Sequence, residues 1–137
     1  MDFDILKNNF TKDSAGQLNS LVLAYIGDAV YEVFVRSHLI NENRQTLVNK
    51  LHKEATNYVK AEAQSNFIHE ILNELTEEEV AVYKRGRNSK SYTKPKNAEV
   101  KHYRNATGFE ALVGYLYLSE QMDRLNYLLK KLIAETK

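Results

Sequence analysis

Residues 21–36 read LVLAYIGDAVYEVFVR, and apolar side chains recur in this stretch at intervals of three and four. That period belongs to an α-helix with one face against a core. Counted outward, Leu18, Leu21, Val22, Tyr25, Ile26, Ala29, Val30, Val33 and Phe34 form the expected core-facing stripe. Leu23 and Val35 fall outside it, so the helix is expected to lie centrally, covered on more than one side. One carboxylate, Asp28, interrupts the apolar run directly after Gly27. An ionised acid removed from water must be paired, hydrogen-bonded or bound to a metal, so Asp28 is the first candidate for chemistry.

The rest of the chain keeps the helical period, with one proline, five glycines and no strand-like alternation. Thr46 is expected to cap a second helix carrying Leu47, Leu51, Ala55 and Val59, and a third helix is centred on Phe67, Ile68, Ile71 and Leu72. Thr76 and Glu79 have the spacing of a capping box ahead of Val80 and Tyr83, in a helix expected to end near Gly86. A long segment beginning near Asn97 runs through Val100, Tyr103, Phe109, Leu112, Val113 and Leu116. Met122, Leu125, Leu128, Leu129, Leu132 and Ile133 mark the last helix. The expected fold is all-α, a single-domain helical bundle over residues 1–137, because this length suits one core and leaves no room for a second module.

Composition narrows the chemistry. The absence of cysteine excludes disulfides and thiolate metal sites and agrees with a reducing, cytoplasmic setting. His38, His52, His69 and His102 are scattered without paired ligand spacing, which argues against zinc. The acidic amino end does not read as a signal peptide, and no apolar run reaches membrane-spanning length, so no membrane association is expected. Net charge is only +1 but unevenly distributed. Between Lys84 and Arg104, eight cations face one acid, Glu99, a net +7 that leaves −6 for the remainder. Such a run is often a solvated face. Here KRGRNSKSYTKPKN, residues 84–97, mixes its cations with Asn88, Ser89, Ser91, Tyr92 and Thr93, which can contact phosphates and ribose hydroxyls. The segment at about 84–97 therefore reads as an RNA-binding loop, with Lys84, Arg85, Arg87, Asn88, Lys90, Lys94 and Lys96 as its contact candidates and Arg104, beyond it, as a further RNA-binding candidate.

A second acid, Glu110, lies within ATGFEALVGYLYL, flanked by Gly108 and Gly114. Glycines let helix backbones approach closely. Gly27 packed against Gly108 or Gly114 would bring Asp28 and Glu110 to one place. Two carboxylates without a nearby cation repel, which argues for a divalent ion between them or for one raised pKa. Magnesium suits a site of one or two carboxylates that keeps waters and takes phosphate oxygens as its remaining ligands, and manganese is its natural substitute.

YIGDAV at residues 25–30 and FEALVG at residues 109–114 resemble the two acidic motifs of the ribonuclease III family. With KRGRN at 84–88, residues 93–96 and the YR at 103–104, the order and spacing resemble the small bacterial Mini-III class, which lacks the family's separate double-stranded-RNA-binding domain. The resemblance covers nearly the whole chain. It implies a homodimer with the ribonuclease III endonuclease-domain fold that cuts double-stranded RNA with magnesium. It further implies a role in maturing precursor 23S ribosomal RNA, where a ribosomal-protein helper would be a further partner. Asp28 and Glu110 carry over as the catalytic and metal-binding residues. Larger family members have a glutamate four residues before the aspartate and an aspartate three before the glutamate; here those positions hold Ala24 and Thr107. Thr107 could then hold a water ligand by its hydroxyl. Glu32, one turn beyond Asp28, could also reach the site, although Arg36 offers it an ordinary helical ion pair. The competing reading is a non-catalytic RNA-binding or ribosome-assembly protein with a vestigial acidic pair.

Overall fold

The computed structural model describes residues 6–89 and 99–135. Helices α1 (Lys12–Gly16), α2 (Ser20–Glu42), α3 (Val48–Val59), α4 (Ala61–Ile71), α5 (Glu77–Arg87), α6 (Glu99–Leu118) and α7 (Met122–Glu135) make up its regular structure, with a 3₁₀ turn at Leu72–Glu74. Helix α6 is the hub. It packs against α2, α4 and α5, and residues 105–116 are almost continuously buried; Glu110 is partly exposed and Thr107 is half-buried.

Local chemistry sets several boundaries. Thr76 accepts from the Glu79 amide at 3.2 Å and Glu79 accepts from the Thr76 amide at 2.9 Å, the capping box expected from their spacing. Buried Glu79 also receives Arg124 at 2.8 and 2.9 Å, which fastens α7 to the start of α5. A second box, Thr11 with Ser14, starts the short helix α1, for which the apolar period gives no sign. Helix α3 begins one residue later than expected. Leu47, extended at φ −71° and ψ 150°, is its N-cap residue, because the turn closed by the Thr46 amide on the Asn43 carbonyl at 3.3 Å delays the helix. Thr46 therefore does not cap it, and its hydroxyl is buried without a partner.

The largest correction concerns α2. Its buried residues are Leu23, Ala24, Gly27, Tyr31, Val35 and Leu39, a ridge of mostly four-residue steps. Each large member of this ridge contributes about 1.5–3 kcal/mol by leaving water. Leu18, Val30 and Phe34 of the expected stripe are partly buried against the core. Val22, Tyr25 and Val33 are instead 50, 82 and 65% exposed. Periodicity detects apolar faces but does not rank them. The face bearing Gly27 packs because only there can the backbone of α2 meet that of α6.

Candidate active site

Gly27 and Gly114 set the site. A Cβ on Gly27 would strike the Glu110 carbonyl oxygen and come within 2.7 Å of its carbon and 2.8 Å of the Gly114 nitrogen. A Cβ on Gly114 would strike the Leu23 carbonyl oxygen and lie 3.0 Å from Ile26 Cγ2. Of the two partners open for Gly27, the chain uses Gly114. Gly108 serves another seam, where a Cβ would meet the Tyr83 ring and carbonyl of α5 at 2.7 Å. Gly86 faces the same seam, where a Cβ would lie 2.9 Å from Gly108 Cα, and α5 ends one residue beyond it, at Arg87, near the expected place. The missing side chain of Gly86 allows the close packing of α5 on α6.

Backbone contact at Gly27 brings the next residue, Asp28, beside Glu110, close enough for one carboxyl to hydrogen-bond the other. Their environments differ. Asp28 stands on the exposed flank of α2, so the burial cost expected of it does not fall there. A step of about 100° turns it out of the Gly27 contact and into solvent. Glu110 carries the cost instead. Burial, then the neighbouring charge and hydrogen bond of Asp28, push its pKa up to about 8. The amide of Gln64 pulls the other way, with Nε2 3.5 Å from Glu110 Oε2, while Glu32 adds a further like charge.

Gln64, on α4, is a site residue that the sequence motifs do not include. It is 2% exposed, and its Nε2 donates to the Val59 carbonyl at 2.8 Å. Its Oε1 has no partner, a deficit that costs about 1–3 kcal/mol. The available signal is register: Gln64 stands four residues before Ile68 and seven before Ile71, on the buried face of its helix. Behind the pair, Tyr83 donates to Asn105 at 3.1 Å and Asn105 donates to Ser65 at 3.0 Å, a buried link joining α5, α6 and α4.

Glu32 and Arg36 form the helical ion pair at 3.1 Å, with both side chains partly exposed. The Thr107 hydroxyl donates to the Tyr103 carbonyl one turn back, at 3.0 Å. Among the described residues no group of three or more histidine or acidic side chains could hold a metal ion. The donor set is thus two hard carboxylates. It fits magnesium, which needs few protein ligands and fills its octahedron with water and phosphate oxygens. Two neighbouring carboxylates repel, and a divalent cation between them would offset that repulsion.

The basic candidates divide. Lys84 and Arg85 are exposed in the last turn of α5, and Asn88 is its C-cap residue. Arg85 is tied to the Gly16 carbonyl at 2.8 Å and anchors α1. Arg87 lies over the Tyr83 ring, 5.6 Å from its centroid, and its Nε donates to Asn88 at 3.3 Å. Arg104 is exposed on α6, six residues before Glu110 and so about 9 Å along the helix axis. Lys90, Lys94 and Lys96 lie outside the described residues, as does Asn97.

The Ribonuclease III domain family matches residues 21–121. A Mini-ribonuclease 3 of Clostridium tetani is 56% identical over 128 residues, 93% of this chain and 85% of its own length. One from Enterococcus faecalis is 52% identical over 88% of this chain and 94% of its own. A crystal structure of a Fusobacterium nucleatum protein superposes with a TM-score of 0.79 at 30% identity, covering 86% of this chain and 95% of that one.

Proposed function

The chain belongs to the ribonuclease III family, whose members are generally divalent-metal-dependent endoribonucleases, and on that premise we propose that it cuts double-stranded RNA at the Asp28/Glu110 pair. The substrate we assign is precursor 23S ribosomal RNA, trimmed at its ends in the cytoplasm, in keeping with the Mini-ribonuclease 3 relatives. The observation that carries this reading is the direct contact of two acids lying 82 positions apart in the chain, made possible by two facing glycines.

Asp28 and Glu110 would hold a magnesium ion, with manganese as substitute. When bound, that ion acidifies a water and offsets negative charge growing on the phosphodiester. Glu110, partly buried, gives a fixed anionic ligand. Solvent-facing Asp28 would supply the second carboxylate ligand and orient the attacking water. Attack in line with the leaving 3′ oxygen breaks the P–O3′ bond and leaves a 5′ phosphate and a 3′ hydroxyl. Lys84, Arg87 and Arg104 would track phosphates and 2′-hydroxyls; Arg85 serves mainly as a structural tie.

One experiment separates this reading from a non-catalytic RNA-binding protein. Duplex RNA, single-stranded RNA and duplex DNA are incubated with the protein in magnesium or chelator. Cutting of duplex RNA alone, and only with the metal, is expected; duplex binding without scission in magnesium would overturn the nuclease assignment. In chelator, duplex affinity should fall steeply with salt, and replacing Lys84, Arg87 and Arg104 by glutamine should flatten that slope. An unchanged slope would remove these residues from the RNA surface.

The exposed face of α2 supports a homodimer. Val22, Tyr25, Val33 and Ile40 leave an apolar row in water on the same helix as Asp28. A second copy is the fitting occupant, because duplex strands are related by a local two-fold and a symmetric pair of sites would cut both strands in one docking event. Tyr25→Asp should convert the dimer to monomer in sedimentation while leaving the helical spectrum unchanged. A Tyr25→Asp protein that stays dimeric would move the contact elsewhere.

A further inference from the structure

Gln64 is a costly residue for packing alone. It is almost wholly buried among Phe67, Ile68 and Ile71 on the inner face of α4, a place where leucine or methionine would fill similar volume with no polar atom to satisfy. Its carboxamide nevertheless has a determined orientation. The NH2 group carries two protons. One goes to the Val59 carbonyl at 2.8 Å, and the other has the Glu110 Oε2 before it at 3.5 Å. A flipped amide would set its oxygen against two acceptors, so the observed orientation is the only one its neighbours allow. The consequence is the unpartnered Oε1. A buried acceptor left without a hydrogen bond, on a residue whose donor reaches one particular carboxylate oxygen, marks a group kept for that carboxylate rather than for the core.

We infer that Gln64 is the positioning residue of the acidic site, holding Glu110 through Oε2 so that the other carboxylate oxygen is left to ligate the cation. This rests on the metal-dependent reading above and deepens it. An amide donor to a carboxylate oxygen makes a charge-assisted bond, stronger than one between neutral groups. A neutral donor is suited to this place. A lysine would compete with the metal for the carboxylate, and a third acid would add to the repulsion already present. The amide orders Glu110 without adding charge, as partners of metal ligands commonly do.

The test uses Gln64→Met and Gln64→Leu in the full chain. Both should fold, with melting temperatures near the wild-type value, because the orphaned oxygen is removed while the Val59 carbonyl loses its donor. In the absence of RNA, manganese binding followed by electron paramagnetic resonance should weaken by about tenfold or more. Cleavage of duplex RNA should fall at low magnesium and recover at high magnesium, a change in metal dependence with little change in maximal rate. A purely structural role would leave manganese affinity unchanged, and any loss of cleavage would not be rescued by metal. Manganese affinity unchanged in a folded variant, or failure of both variants to fold, would overturn the assignment of Gln64. Absence of manganese binding and of cleavage in the wild-type protein would instead overturn the metal-dependent reading on which it rests.

Discussion

Glu110→Gln is expected to abolish duplex cleavage and to make the metal-free protein more stable at pH 8. Both effects follow from one carboxyl. In the folded protein, burial and then Asp28 raise its pKa to about 8 from an ordinary value of 4.5. Between those values the unfolded chain releases a proton that the folded chain keeps. The folded state binds more protons, so stability falls as pH rises from about 4.5 to 8 and levels off above. The loss amounts to several kcal/mol at most. Glutamine removes the ionisation and therefore the slope. It also removes the anionic ligand, and cleavage should drop by at least roughly 10³-fold, about 4 kcal/mol of barrier. Asp28→Asn should lose cleavage to a similar degree and, by removing the like charge beside Glu110, should raise stability at pH 8 by less than Glu110→Gln does. Thermal melts from pH 5 to 9 and single-turnover cleavage provide the measurements. Either variant cutting within tenfold of wild type would remove its residue from the chemistry, and an unchanged pH slope in Glu110→Gln would contradict its burial.

Gly114→Ala is expected, with Gly27→Ala, to be among the most damaging single-methyl changes in the protein. Alanine in a helix is ordinarily better than glycine by about 1 kcal/mol. Here the added carbon meets the Leu23 carbonyl and Ile26 of α2. Backbone cannot move aside as a side-chain tip can, so the two central helices must separate. Overpacking of this kind costs about 3 kcal/mol or more, roughly a 10 °C fall in melting temperature for a domain this size. The same separation draws Asp28 away from Glu110, so whatever protein remains folded should cut poorly. Gly16 provides the control, because a Cβ there meets only a Tyr115 ring carbon at an ordinary 3.7 Å. Gly16→Ala should melt close to wild type. A Gly114→Ala protein as stable and active as wild type would refute the close-contact account of the site.

Several features are legible in the amino-acid sequence. The Thr76/Glu79 box, the helical period and the two acid-plus-glycine segments are local patterns, and local hydrogen bonding or steric size gives each its meaning. Other features are not. Val22, Tyr25 and Val33 have the same apolar signature as Leu23, Tyr31 and Val35, and composition cannot tell which row finds a partner within the chain. Asp28 and Glu110 are alike as acids in apolar helices, yet one is solvated and the other partly buried. Gln64 has no motif to mark it, because its role comes from α4 lying against α6 at Glu110.

The residues alone determined that this chain is helical, that its acids lie next to glycines, and that its cations gather between Lys84 and Arg104. These are properties of spacing and of side-chain type, which the chain carries whether folded or not. Only the tertiary structure decided that Gly27 meets Gly114, that Glu110 rather than Asp28 is desolvated, and that Gln64 stands beside it. Burial and pKa depend on what other segments bring to a residue. That is set by which helix faces fit together, and backbone contact at two missing side chains makes the choice.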